Sequence, residues 1–376
     1  MANIIKFKGG GGARVDYNGL YGGSPNGILK TTPLPTSLSV SRTPAGGSIG
    51  NYALFAGGDS TVDAYNYSLT RTTPTSMTFN ADSPVIAMVG DYALVTGNTS
   101  ASTVNTYNLS LTRGIATDLQ LPMLRGGATN VGNYALFGGG YYSGQNWNLM
   151  NSYNTSLTKG SPTALSVARN ALTGGTIGNY ALFAGGRSPE STVDAYDSSL
   201  TRSTPTALSA SRGSSATGKV IGYVLFAGGS YDSTGAVDAY NSSLTRTVCS
   251  GLGVWREFMG GSNFINLSYA LFGGGNYATG FSDVWSYDSS LTKTSITSLS
   301  LIRYSASATN IGNYVLFAGS SDIIDAYENT FSSFYLYAPI GSKYDFGGGE
   351  QTFSTNKISV SSPATGYIKF KKGVVS

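Results

Sequence analysis

Histidine is absent from this chain of 376 residues, which removes Ser-His-Asp and Cys-His catalysis, histidine metal ligation and imidazole proton shuttling. Cys249 is the only cysteine, so an intramolecular disulfide is excluded and no structural metal site or cofactor is expected. Charge is scarce, at 11% of residues, and the 23 lysines and arginines stand singly. Tracts of the kind that grip a phosphate backbone are missing, so nucleic acid is not an expected partner. No run approaches the ~20 apolar residues that span a bilayer, and membrane insertion is not expected either. The opening Met1 to Lys8 passes into glycine at Gly9 to Gly12 before an apolar segment of signal-peptide length forms. Without a Sec signal, an external protein leaves by lysis, by a dedicated machine or inside a virion. The expected location is therefore virion or extracellular, with the cytoplasm as the alternative.

What the chain has in excess is glycine, 51 residues, and tyrosine, 26, together with much Ser, Thr and Asn. That composition favours short strands joined by tight turns over helices. Gly-Asn-Tyr-Ala-Leu-Phe-Ala-Gly-Gly at 50 to 58 recurs at 178 to 186, with weaker copies elsewhere. Its tyrosines, Tyr52, Tyr92, Tyr134, Tyr180, Tyr223, Tyr269 and Tyr314, are spaced by 40 to 46 residues, a period that suits propeller blades. Each repeat reads as four strands. A small-residue strand a such as Thr173 to Ile177 turns at Gly178-Asn179. Strand b, Tyr180 to Ala184, is apolar on both faces and ends in Gly185-Gly186. Strand c is Val193 to Tyr196, and strand d begins at Arg202. The expected fold is all-β: a seven-bladed propeller of four-stranded antiparallel blades.

Leu-Thr-Arg or Leu-Thr-Lys marks the c–d turn at Arg71, Arg113, Lys159, Arg202, Arg246 and Lys293, but the seventh copy lacks it. An orphan, Ile28-Leu29-Lys30, stands near the start. An N-terminal strand at about residues 30 to 40 is therefore expected to complete the last blade beside Ile324 to Tyr327, leaving no open edge. The organisation reads as an N-terminal extension at 1–29, a propeller at 30–331 and a C-terminal β extension at 332–376. Ile5-Lys6-Phe7-Lys8 and Ile368-Lys369-Phe370-Lys371 echo one another, which predicts that the two extensions pair.

A double glycine closing strand b, a tyrosine ending strand c and an arginine before the next strand a resemble Kelch repeats, over about residues 30 to 331. The doublet is reduced to Gly97-Asn98 and Gly319-Ser320 in two copies, and the tryptophan usual in Kelch strand d is missing. Asn-Tyr-Ala-Leu-Phe-Ala-Gly-Gly with Val-Asp-Ala-Tyr is also similar to Kelch-like proteins of Firmicutes and their phages. The copper-radical chemistry of some Kelch-like propellers needs histidine ligands and does not carry over. The resemblance implies binding on the face where the d–a and b–c loops open.

Two residue sets are candidates on that face. Arg42, Arg125, Arg169, Arg212, Arg256 and Arg303 precede strand a and read either as ties between blades or as an attraction for anions. Tyr141, Tyr142 and Trp147 in the third b–c loop, Tyr231 in the fifth, and Tyr277 and Phe281 in the sixth offer apolar platforms beside hydrogen-bonding neighbours. Asp63, Asp194, Asp238 and Asp325 recur at one strand c position, replaced by Asn105 and Asn151 in two blades. A residue set by the repeat reads as structural rather than catalytic, and no enzyme activity is expected. The expected function is recognition of a host cell-surface glycan or protein by a phage tail or related particle. The alternatives are a structural virion protein docking only other tail proteins, and an intracellular adaptor.

Overall fold

The computed structural model describes residues 25–187, 190–231, 234–331, 333–337, 343–345, 350–352 and 357–361. All regular structure among them is β. Residues 30–327 form one compact unit. Seven antiparallel four-stranded sheets stand in a ring, a β-propeller. Blade 1 shows the order: strand a Ala45–Ile49, b Tyr52–Ala56, c Val62–Tyr65 and d Arg71–Thr72, each hydrogen-bonded to the next. Blades 3 and 6 insert a small hairpin between b and c, Tyr141–Tyr142 with Gln145–Asn146 and Asn276–Tyr277 with Thr279–Gly280. The other unit, residues 1–29 and 328–376, contains two ladders, Ser333–Tyr337 with Lys357–Ser361 and Lys343–Asp345 with Glu350–Thr352. The echoed segments at 5–8 and 368–371 lie outside the described residues.

Strand b is the core of each blade because its alternating side chains face two neighbouring blades, not solvent. In blade 4, Ala181, Leu182, Phe183 and Ala184 are all buried. Leu182 and Ala184 join Val224, Phe226 and Tyr240 of blade 5 in one apolar cluster, with Leu208 wedged into the seam. Within the blade, Phe183 meets Tyr196 edge-on at 6.0 Å, and the same pair recurs as Phe55–Tyr65 and Phe226–Tyr240. Strand a ends in the expected glycine turn, where Gly178 takes φ 52°, a conformation glycine reaches without steric cost. In the c–d turn of blade 3, Asn154 Oδ1 accepts the N–H groups of Ser156 and Thr158 and so holds the turn.

The ring closes from the N-terminal side, as the orphan Lys30 predicts, but with shifted limits. Strand d of blade 7 is Pro25–Lys30, hydrogen-bonded beside Asp325–Phe331, and the Thr31 N–H donates to Ala326 O at 2.9 Å. Residues 31–40, expected to be that strand, instead form the connector to blade 1. No c–d turn joins the two strands of blade 7, and its strand d, at six residues, runs longer than its counterparts.

Candidate functional site

Each connector from strand d to the next strand a lies in the seam between two blades and is held there by the second. The strand c tyrosines, Tyr65, Tyr107, Tyr153, Tyr196, Tyr240, Tyr287 and Tyr327, donate their hydroxyls to connector carbonyls at 2.5 to 2.8 Å. The cation after each c–d turn grips the same strip: Arg202 Nη1 donates to Ala164 O at 2.6 Å and Lys293 Nζ to Gly251 O at 2.6 Å. For blade 7 that cation is Lys30, which donates to Ser298 O at 2.9 Å. The orphan in the sequence thus fills the missing place in the seventh seam.

The arginines complete this fastening. Each connector carries a buried Leu or Met, and four residues later stands Arg42, Arg169, Arg212, Arg256 or Arg303, all buried. Four of them pair with the strand c aspartate of the blade they lead into: Arg42–Asp63, Arg169–Asp194, Arg212–Asp238 and Arg303–Asp325, at 2.6 to 2.8 Å. The same carboxylates accept the connector N–H groups of Ser39, Ser166, Ser209 and Ser300. In blade 6 Trp285 occupies the aspartate position, and Arg256 pairs with Asp283 instead, at 2.8 Å. Arg169 and Arg212 donate as well to the strand b carbonyls of Phe183 and Phe226. These five side chains are structural ties, committed to the seam.

Arg125 does not belong with them. Counting four from Leu119 gives Met123, which is buried, and Arg125 lies two residues beyond it, exposed, with φ 53°. In blade 2 the same count from Met77 gives Ala81, fully buried. These are the two blades where asparagine replaces the aspartate, and Asn105 and Asn151 still accept the connector N–H groups of Thr78 and Gln120. Loss of the charge on one side accompanies loss on the other, because a buried carboxylate or guanidinium left alone is costly.

Asp325 shows the electrostatics of a complete tie. Its burial acts to raise the carboxyl pKa, yet hydrogen bonds from Arg303, Lys30 and Ser300 outweigh this and hold it below the usual carboxylate range. For the strand c tyrosines burial dominates and pushes the phenol upward in all seven blades. Cys249, on strand d of blade 5, is pushed up to about 11 by burial and by the Asp238 charge. Its thiolate fraction at pH 8 is then about one in a thousand. Alkylation by iodoacetamide at that pH is expected to run about two orders of magnitude slower than for a free thiol. A rate near that of glutathione would show a reactive cysteine.

The d–a and b–c loops do share a face. Isolated bridges join them: Leu124 with Tyr141, Asn170 with Arg187, Gly213 with Ser230 and Phe281 with Arg303. At its centre the starts of strands a enclose a mouth of about 470 Å³, lined in part by Pro84, Arg125, Phe258 and Met259. The platform residues fall into two groups around it. On blade 3, Tyr141 is 39% exposed, whereas Trp147 is partly buried and closes the hairpin through Nε1–H donated to Tyr142 O at 3.1 Å. On blades 5 and 6, Tyr231 is 59% and Tyr277 43% exposed, and Tyr277 lies against Trp255 with ring centroids 4.3 Å apart. Phe281 is partly buried beneath the Arg256 guanidinium, 3.9 Å from its ring centre. Trp255 went unnoticed in the sequence, although it directly precedes Arg256. Exposed Ile302 and Tyr304, in the connector to blade 7, extend the apolar surface.

No family model and no curated protein matches the chain. The solved structure of YjhT is similar to it over 68% of this chain and 94% of its own, at 10% identity and a TM-score of 0.52. A likeness at that identity shows the fold alone, and the fold is a seven-bladed β-propeller, an architecture suited to binding and protein interaction.

Proposed function

We propose that this propeller is a non-catalytic recognition module of a phage tail or related particle, whose loop face binds a host cell-surface glycan or protein. The observation that carries the proposal is the exposure of Tyr141, Tyr231 and Tyr277 on the face built from the longest loops. Tyrosine offers wide, rigid contact area at low entropic cost, with a hydroxyl to orient a polar partner. The want of histidine supports a role without acid–base catalysis. The Kelch-like wording of the repeat, similar to that of Firmicutes and their phages, supports the particle setting. The exposed Ile302 and Tyr304 favour a second reading on the same face, docking to another virion protein.

The test is binding of the purified chain to a glycan array and to whole host cells. Tyr231→Ala and Tyr277→Ala together are expected to weaken binding by about tenfold or more, with little change in melting temperature. Undiminished cell binding by the double variant would sink the proposal. Loss of binding to isolated tail proteins but not to cells would select the docking reading.

A further inference from the structure

The channel continues below the mouth. A second cavity of about 280 Å³ shares Gly46, Thr217, Gly261 and Ala308 with the first and reaches towards the a–b turns, away from the loop face. Its wall includes residues from the fourth position of the strands a, each paired with the residue that follows the repeat tyrosine. Around the ring this position holds Ser48, Met88, Asn130, Thr176, Lys219, Asn263 and Asn310. Most of these side chains tie neighbouring strands together. The Ser48 hydroxyl donates to Asn310 Oδ1 at 2.9 Å, Asn310 Nδ2 donates to Asn263 O at 2.7 Å, and Thr176 Oγ1 donates to Asn130 O at 2.6 Å.

Lys219 differs. It is the single ionisable residue on any strand a, it lines the cavity, and its side chain is half-buried, so that the surrounding protein takes part of the water from its ammonium. That enclosure lowers its pKa from the ordinary lysine value. No carboxylate lines the cavity, and the ammonium has no hydrogen-bond or ion-pair partner among the described residues. A charge partly stripped of water and without a counter-charge costs free energy in the fold. Asn263 Nδ2 and Asn310 Nδ2 each give one N–H to a carbonyl and keep a second. The glycines at 46, 47, 175, 218 and 261 line this cavity and let neighbouring strands a approach closely, since a Cβ at each would collide with the next blade.

We infer that this part of the channel is a binding site for a small carboxylate anion, held by the Lys219 ammonium and the spare amide N–H groups of Asn263 and Asn310. One cation with neutral donors matches a single negative charge, whereas a phosphate dianion would call for a second cation. The inference stands apart from the reading of the loop face.

It is tested by following the melting temperature of the whole chain, and the heat of binding, as sodium acetate replaces sodium chloride at constant ionic strength. A saturable, one-site response to acetate is expected. Lys219→Met is expected to weaken acetate binding by at least about tenfold, to melt no lower than the parent without acetate, and to keep its binding to host cells. Lys219→Arg should retain most of the acetate response. An acetate response that survives Lys219→Met would overturn the inference. So would a variant that melts several degrees lower without acetate, or an equal response to phosphate.

Discussion

Raising the pH beyond about 10 is expected to unfold the ring steeply, within roughly one pH unit. The seven strand c tyrosines each donate a hydroxyl to a seam carbonyl, and burial raises each phenol above its ordinary value. A phenol whose pKa is raised by folding contributes stability that is complete below the unfolded pKa near 10 and is lost as pH climbs towards the folded value. Each such group costs at most about 1.4 kcal/mol per pH unit, so seven acting together approach roughly 10 kcal/mol per unit, a limit that solvent near the hydroxyls reduces. That is comparable with the whole stability of an ordinary domain, about 5 to 15 kcal/mol. Tyrosinate absorbance and melting temperature followed on the same samples decide the matter. Absorbance should rise in two steps, the surface tyrosines first and the seam tyrosines together with unfolding. A single smooth rise at pH 10 in a ring that stays folded would show that the seam phenols ionise freely.

Arg212→Met is expected to destabilise the protein by about 3 to 5 kcal/mol, because it leaves Asp238 charged and buried with the more distant Arg246, 3.7 Å away, as its remaining cation. Asp238→Asn should cost a similar amount by stranding the guanidinium. The double variant should lose much less than either alone, since it rebuilds in blade 5 what blade 3 already contains, Met123 opposite Asn151. The retained amide would still accept the Ser209 N–H. Two observations support a small net loss: Arg212 Nε and Nη1 have no hydrogen-bond partner, and neither has Asp238 Oδ1. Denaturant titration of the four proteins gives the coupling directly. Costs that simply add would show that the two side chains serve separate purposes, and a salt-dependent loss of ligand binding by Arg212→Met at unchanged stability would return the arginine to the binding face.

Blade number was legible because the tyrosine of strand b is invariant in type and regular in spacing, and because strand b is apolar on both faces wherever it occurs. Ring closure was legible from a single residue, Lys30, whose role is fixed by six counterparts. Its strand was misplaced by several residues, since strand d is short elsewhere, as in Arg71–Thr72 and Arg202–Ser203, and has little pattern of its own. The arginines were found but one was misassigned. Arg125 looks equivalent because it too precedes strand a, yet it stands two residues before Gly127 where the others stand three or four before theirs, and Met123, four residues after the buried Leu119, holds the place. Trp147 was grouped with exposed platforms because its loop is long, yet the hairpin folds its indole back onto Tyr142. Lys219 had no signal at all: it is one substitution in the least patterned position of the repeat, and its isolation appears only when seven strands are set in a circle.

The clasp at blade 7 also sets an order of events. Lys30 grips Ser298 across a sequence separation of 268 residues, and the seam between blades 7 and 1 is as distant, with the Leu38 N–H donated to Asp322 O, while the seams between blades 1 to 6 join stretches that leave the ribosome close together. During synthesis, the seams between blades 1 to 6 have both halves at hand as each blade emerges, whereas Lys30, Thr31 and Leu38 must wait for Asp325, Ala326 and Asp322. Contacts so distant carry a loop-closure entropy that local ones do not, so this junction is the slowest to form. A propeller of this kind behaves as a bracelet, strong along its links and dependent on its catch.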